Sequence, residues 1–252
     1  MLRILLTGCN GKMGRTISSM VFETPNLVIS AGVDIQGEGA GGYPVFCSLD
    51  ACTVPGDVVV DFSHPSAFQD TLSFCMKHGL PLVMATTGLS DAQKVRLEES
   101  SRVIPVFYSA NMSMGVNLLI RLAKTAARFF GEEFDVEIIE KHHNQKIDAP
   151  SGTAVVLAEE INKVLPQKKE YVYDRHSRRE RRSKDEIGIH TIRGGTITGE
   201  HTVIFAGRNE VVELTHQAAS REVFAAGAIR AAQFIQGKPK GMYSMEDMFD
   251  TP

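Results

Sequence analysis

Short, almost wholly apolar runs punctuate the first half of the chain, and helix-like stretches fill the gaps between them. Arg3-Ile4-Leu5-Leu6 has the continuous hydrophobicity of a strand buried on both faces of a parallel sheet. It ends in a glycine-rich turn, Gly8-Cys9-Asn10-Gly11-Lys12-Met13-Gly14, after which Met13 to Val21 carries helical spacing. Leu27 to Val33 is the next strand and stops at Asp34, and Gly37 to Pro44 reads as a glycine-rich loop. Val58 to Asp61, Leu82 to Ala85 and Ile104 to Tyr108 supply three more strands. A helix ending at His78 and another capped by Ser90 separate them. Strands alternating with helices predict a doubly wound parallel sheet, an α/β fold.

The rhythm changes after Val116 to Phe130, an amphipathic helix closed by Gly131. Val136, Ile138 and Ile139 belong to a strand that ends at His142, and a helix opens near Ala154. Three strands then follow at close quarters: Ile187 to Ile192, His201 to Phe205 and Val211 to His216. Short turns at Gly194-Gly195 and Gly207 to Glu210 join them, so consecutive strands are expected to pair antiparallel. This half is expected to be an α+β domain with an open mixed sheet of about four strands, one face of which needs covering by a partner subunit. A last helix, Arg221 to Gln236, precedes a tail containing Gly241 and Met242.

Composition narrows the classes. At 252 residues, 43% hydrophobic and 23% charged, the chain has the make-up of a soluble protein. No apolar run approaches the roughly 20 residues of a membrane span. The N-terminus reads as a first strand rather than a signal peptide, since no small-residue cleavage site follows it. Cys9, Cys47, Cys52 and Cys75 form no CxxC pair and no metal-ligand spacing, which fits a reducing cytoplasm and no metal. A net charge of −3 argues against a dedicated nucleic-acid binder. Lys168 to Lys184, with eight basic and three acidic side chains, reads either as a solvated loop or as a basic flap attracting an anionic ligand.

Two stretches carry candidate chemistry. The first is strand, Gly-rich turn, helix, strand and acid, with Asp34 standing 20 residues beyond Gly14. Glycines let the backbone approach a pyrophosphate, the helix N-terminus receives its charge, and the acid accepts hydrogen bonds from a ribose. No Gly-Lys-Ser/Thr ending is present, so a nucleotide triphosphatase loop is not indicated. Phe62-Ser63, Thr86-Thr87-Gly88 and Ser109 to Met112 fall at the same carboxyl edge and outline a cofactor groove. His64, beside a proline at a helix start, reads as a capping group rather than a catalyst. The second stretch runs from Glu140 to Thr153 and concentrates two histidines, a lysine and a Ser-Gly-Thr turn. It offers proton donors beside helix N–H groups, as a substrate bearing carboxylates requires.

Taken together, Gly8 to Gly14, Thr86-Thr87-Gly88, Ser109-Ala110-Asn111 and the string His142 to Ala154 resemble the 4-hydroxy-tetrahydrodipicolinate reductase (dihydrodipicolinate reductase) family of bacterial lysine biosynthesis. The likeness extends through Gly199-Glu200-His201-Thr202 to the closing segment Gly241 to Asp247. It implies a Rossmann-type domain of residues 1–112 and 222–252, and a substrate-binding and tetramerisation domain of residues 113–221. It also implies reduction of a cyclic imine dicarboxylate by NADH or NADPH in a homotetramer. On this resemblance His142 and Lys146 are the proton donors, and His143, Gly152 and Thr153 bind substrate. Gly8, Cys9, Asn10, Gly11, Lys12, Met13, Asp34, Ala85, Thr86, Thr87, Ser109, Ala110, Asn111 and Met112 contact the dinucleotide.

The residues agree with these roles. Hydride added to a conjugated imine leaves an enamine that must gain a proton, and His142 and Lys146 are donors at hand. Adjacent strand residues point to opposite sides, so His142 and His143 can share a pocket only where the strand ends or bulges. Some family members place an arginine after the acid to grip a 2′-phosphate, whereas Ile35-Gln36 follow Asp34 here and leave Lys12 and Arg15 as the basic candidates. NADH is therefore expected to serve at least as well as NADPH. Two alternatives remain: another two-domain nicotinamide-dependent oxidoreductase, and a non-catalytic NAD(H)-binding redox sensor.

Overall fold

The computed structural model describes residues 1–39 and 41–249. Ala40, in the loop expected between Gly37 and Pro44, and residues 250–252 lie outside the described residues. The chain divides into two units, Met1–Met114 with Arg221–Pro252, and Gly115–Ser220. No helix among the described residues is long and apolar enough to cross a membrane.

The first unit is built on strands β1 (Leu2–Thr7), β2 (Leu27–Val33), β3 (Val45–Phe46), β4 (Val58–Asp61), β5 (Leu82–Met84) and β6 (Pro105–Tyr108). A seventh, β12 in chain order (Gly241–Tyr243), comes from the C-terminal segment. Their order is β12-β6-β5-β4-β1-β2-β3, and each neighbouring pair is parallel. Both faces are covered. Ile4, Leu6, Val58 and Val60 pack with helices α1 (Lys12–Glu23) and α6 (Glu222–Ile235), while Leu5, Val59, Leu82 and Met84 pack with α2 (Phe68–His78) and α3 (Asp91–Ser100). That double burial is why these strands read as continuous apolar runs. Local signals set the helix starts: Ser90 and Gln93 form a reciprocal capping box on α3. His64 accepts the Ser66 N–H at the short 3₁₀ turn before α2, the capping role read from its sequence position. The chain leaves β1 towards β2 and returns to β4 on the other side, so the topological switch lies between β1 and β4, where such sheets bind ligands.

The second unit contains α4 (Met114–Phe130), which opens at its boundary, and α5 (Gly152–Asn162). Its strands are β7 (Asp135–His142), β8 (Glu170–Val172), β9 (Glu186–Arg193), β10 (Gly199–Ala206) and β11 (Val211–Ala218), in the order β11-β10-β7-β9-β8. The sheet is mixed: β10 runs antiparallel to β7 and β11, while β9 runs parallel to β7 and β8. Two expectations fail. The sheet has five strands, not about four, and β9 and β10 do not pair, because β7 lies between them. The reason is visible at the Gly194-Gly195 turn, which spans the end of β7 instead of closing a hairpin. Gly194 N–H donates to His142 O at 2.9 Å, and Asn144 N–H donates to Gly195 O at 3.2 Å. β7, whose buried positions alternate along its whole length, thereby gains a neighbour on each side.

One sheet face, with Val136, Ile138, Ile187, Ile189, Val203 and Phe205, packs against Leu119, Ala123 and Ala127 of α4 and Leu157, Ala158 and Ile161 of α5. On the opposite face Glu137, Ile139 and Lys141 are only half-buried, and no residue of β11 is fully buried. The basic segment is also more structured than a solvated loop. It contains β8, buries Lys169, and directs Arg182 to Asp135 and Glu137 at 2.8 Å each and Arg175 to Glu186. Those acids lie outside Lys168–Lys184, so a charge count confined to the segment misses its compensation.

Candidate active site

The second-unit site begins as the continuation of a hydrophobic core. Along β7 the buried positions are Val136, Ile138, Glu140 and His142. Register aligns Val136 with Ile187 and Phe205, and Ile138 with Ile189 and Val203, giving two apolar rows across three strands. The next row is Glu140 with Thr191 and His201, and the last pairs His142 with Arg193. The same period-2 geometry that builds the core thus delivers acid, base and cation to its end.

Glu140 is fully buried yet accepts five hydrogen bonds. Its Oε1 takes Ser151 N–H at 3.0 Å, the Thr191 hydroxyl at 3.0 Å and an Arg193 N–H at 2.8 Å. Its Oε2 takes the other arm of Arg193 at 2.8 Å and lies 2.5 Å from His142 Nδ1. Burial alone would raise this carboxyl, but Arg193 and the remaining donors outweigh it and hold it below its ordinary range, so it is ionised. For His142 the balance goes the other way: burial, together with the Lys146 and Arg193 cations, outweighs Glu140 and lowers its pKa, so the imidazole is neutral near pH 7. Its Nδ1–H then faces Glu140 and its Nε2 is the available nitrogen. Gly199 lies beside that nitrogen, since a Cβ there would sit 3.1 Å from Nε2.

β7 ends at His142, which frees His143 from strand alternation, the condition under which adjacent histidines can face one pocket. Lys146 follows in a turn, its N–H on His143 O and its ammonium 2.8 Å from Asp148. Arg193 also reaches the Asp148 carbonyl at 2.5 Å. Ser151 caps α5 by accepting the Ala154 N–H, and Gly152 and Thr153 form the first turn of that helix. The Ser151 hydroxyl is 3.0 Å from His201 Nε2, and the His201 and His142 rings meet edge to face at 5.2 Å. His142, Lys146, His143, Gly152 and Thr153 all belong to the segment that leaves β7 and enters α5. Glu140, Ser151, Thr191, Arg193 and His201 join the sequence-predicted residues here. The signal in the sequence is position 140, a carboxylate on the apolar face of an alternating strand.

In the first unit the candidate cofactor residues line the carboxyl edge. Gly8 has φ +73°, and a Cβ there would lie 2.5 Å from the Phe62 carbonyl oxygen across the switch point. At Gly14 a Cβ would lie 2.3 Å from Gly8 O, so α1 starts hard against the turn. Gly11 caps α1 without a side chain, and no acid stands in the first turn, where Lys12 is exposed. Asp34 is docked to this loop, accepting Asn10 N–H at 3.2 Å and Gln36 N–H at 3.3 Å. Among the described residues, Ser63 Oγ and Thr86 Oγ1 are buried with no hydrogen-bond partner, as is one oxygen of Asp61. Thr87 and Ala110 are exposed, Met13 is half-buried, and Ser109 holds the backbone of Asn111. Cys9, Ala85 and Met112 are buried in the core, so a ligand meets these three through their backbone. A glycine cradle, an open helix N-terminus, a docked acid and unsatisfied hydroxyls fit a dinucleotide.

Two family models match the chain: Dihydrodipicolinate reductase, N-terminus, over residues 2–112, and Dihydrodipicolinate reductase, C-terminus, over residues 115–249. A 4-hydroxy-tetrahydrodipicolinate reductase of Caldanaerobacter subterraneus subsp. tengcongensis is 50% identical over 248 residues, 98% of each chain. One from Clostridium tetani is 49% identical over 251 residues, 100% of this chain and 98% of its own. Among solved structures, the dipicolinate-bound dihydrodipicolinate reductase of Paenisporosarcina sp. TG-14 superposes with a TM-score of 0.84 at 27% identity, covering 98% of this chain and 99% of its own.

Proposed function

The chain belongs to the dihydrodipicolinate reductase family, and from that premise we infer that it reduces 4-hydroxy-tetrahydrodipicolinate to tetrahydrodipicolinate with a nicotinamide cofactor, in diaminopimelate and lysine biosynthesis. The observation that carries this reading is the segment His142 to Thr153, set at the end of a buried polar row, in a chain related along its whole length to reductases named for this reaction.

The chemistry follows from the substrate's name. Replacing its hydroxyl by hydrogen requires water to leave, which conjugates the ring imine, and then a hydride and a proton to add. When bound, the reduced nicotinamide supplies the hydride. Gly8, Asn10, Gly11 and the start of α1 would hold its pyrophosphate, Asp34 its adenosine ribose, and Thr86, Thr87 and Ser109 to Met112 the remainder. The chain's own residues do the rest. Gly152 and Thr153, at the N-terminus of α5, hold a substrate carboxylate with help from His143 and the Lys146 cation. His142 and Lys146 are the proton donors to the enamine. Lys146 donates from its ammonium. His142, neutral at rest, becomes a donor once the dianionic substrate draws a proton onto Nε2.

Asp34 sets the cofactor choice: its negative charge favours ribose hydroxyls over a 2′-phosphate, so NADH serves at least as well as NADPH. The half-buried sheet face of the second unit is in keeping with subunit association, and the reading includes a homotetramer. Four free cysteines are in keeping with a reducing cytoplasm. Oxidation of NADH and of NADPH, followed with freshly generated 4-hydroxy-tetrahydrodipicolinate, tests reaction, substrate and cofactor together. Substrate-dependent oxidation is expected with both; oxidation with neither removes the reading.

A further inference from the structure

Position 140 is an expensive place for a carboxylate. An apolar side chain there would extend the row laid down by Val136 and Ile138, whereas Glu140 takes a charge out of water with no exposed surface. Four donors from three residues on two other elements fix it before His142 is counted: both arms of Arg193 and the hydroxyl of Thr191 on β9, and the Ser151 N–H at the cap of α5. What this anchored carboxylate then holds is the Nδ1 side of His142. We propose that Glu140, clamped by Arg193, is the positioning residue of the reductase site, fixing the His142 tautomer and stabilising the imidazolium that forms when substrate binds.

The inference rests on the proposed role of His142 and extends it. With Nδ1–H committed to Glu140, Nε2 is the nitrogen left to receive and deliver the proton, and Gly199 leaves room beside it. The groups facing His142 are Glu140 on its own strand, Arg193 on β9, His201 on β10 and Lys146 in the following turn. Lys146 and Arg193 disfavour a proton on His142, and Glu140 favours one. The clamp also reaches the other candidate donor. Arg193 holds the Asp148 carbonyl, and the Asp148 carboxylate holds Lys146. The carboxylate that orients His142 is thus tied to Ser151 at the helix start and, through Arg193, to the turn carrying Lys146.

The test compares wild-type full-length enzyme with Glu140→Gln, which keeps shape and removes charge. Nitrogen-15 NMR of the imidazoles, requiring no turnover, is expected to show an Nδ1–H tautomer for His142 in the wild type and its loss in the variant. In steady-state kinetics kcat should fall about 10²-fold, with the pH above which kcat declines moving lower and the KM for NADH unchanged. Retention of the Nδ1–H tautomer in Glu140→Gln overturns the proposal, as does a kcat loss with no movement of the pH profile. Should that variant not fold, Arg193→Lys carries the test: it keeps the cation but not the fork. A smaller loss in the same direction is expected, and a wild-type tautomer and profile there also overturn it. Inactive wild-type enzyme would instead strike the proposed function, which the NMR result does not depend on.

Discussion

His201 and His142 meet edge to face, but burial treats them unequally. His201 is 4% exposed, and burial together with the neighbouring His142 pushes it down to about 4 from its ordinary 6.5. The unfolded chain therefore takes up this proton at higher pH than the folded chain does. The stability that neutral His201 contributes is full above pH 6.5 and is lost as pH falls towards 4, about 3 kcal/mol in all. Urea unfolding at pH 7 and pH 4 should show wild type losing about 3 kcal/mol more than His201→Gln. Equal losses would mean that His201 titrates normally. At the same scale, His142→Ala and Lys146→Ala should each lower kcat by about 10²–10⁴-fold with the fold intact, the usual size of a general-acid effect. Wild-type turnover in either variant would remove that residue from the proton transfer.

At the scale of elements, the first unit was largely legible because continuous apolar runs and glycine turns are local signals. β2 and β4 run from Leu27 to Val33 and from Val58 to Asp61, the bounds expected from sequence. β12 was not legible as a strand, since three residues in a polar tail carry no period, and its pairing with β6 is made across 136 positions of chain from Pro105 to Gly241. β8 was hidden for a related reason, lying among arginines and lysines whose partners are acids on other strands. A short turn between β9 and β10 does not make them neighbours. Gly194 and Gly195 hydrogen-bond to His142 and Asn144, so the turn serves β7 instead of a hairpin. In the site, His142 and Lys146 stood out by residue type. Glu140 and Arg193 did not, because their meaning depends on cross-strand register, which a single strand does not reveal. Gly8→Ala tests the element that opens the cofactor edge. Its positive φ and the 2.5 Å approach to Phe62 O leave no room for a Cβ. Thermal unfolding should show a cost of about 1–3 kcal/mol, and NADH titration a markedly weaker affinity. A variant binding as tightly as wild type would place the pyrophosphate elsewhere.

For the molecule as a whole, each unit carries a different half of the proposed chemistry. The parallel sheet carries the proposed dinucleotide edge at its switch point, and the mixed sheet carries the proposed proton donors where its apolar rows end. The second sheet also leaves Ile139 half-buried and Val211 57% exposed. Sedimentation equilibrium should give the mass of four chains, and a monomer at micromolar concentration would contradict the assembly. Hydride transfer from a nicotinamide to the conjugated imine left when hydroxy-tetrahydrodipicolinate loses water is followed by isotope tracing. With NADH deuterated at the transferred position, the tetrahydrodipicolinate formed should carry one deuterium from the cofactor and, in ordinary water, an unlabelled proton beside it. Product free of deuterium, or no product above the enzyme-free background, would contradict the account.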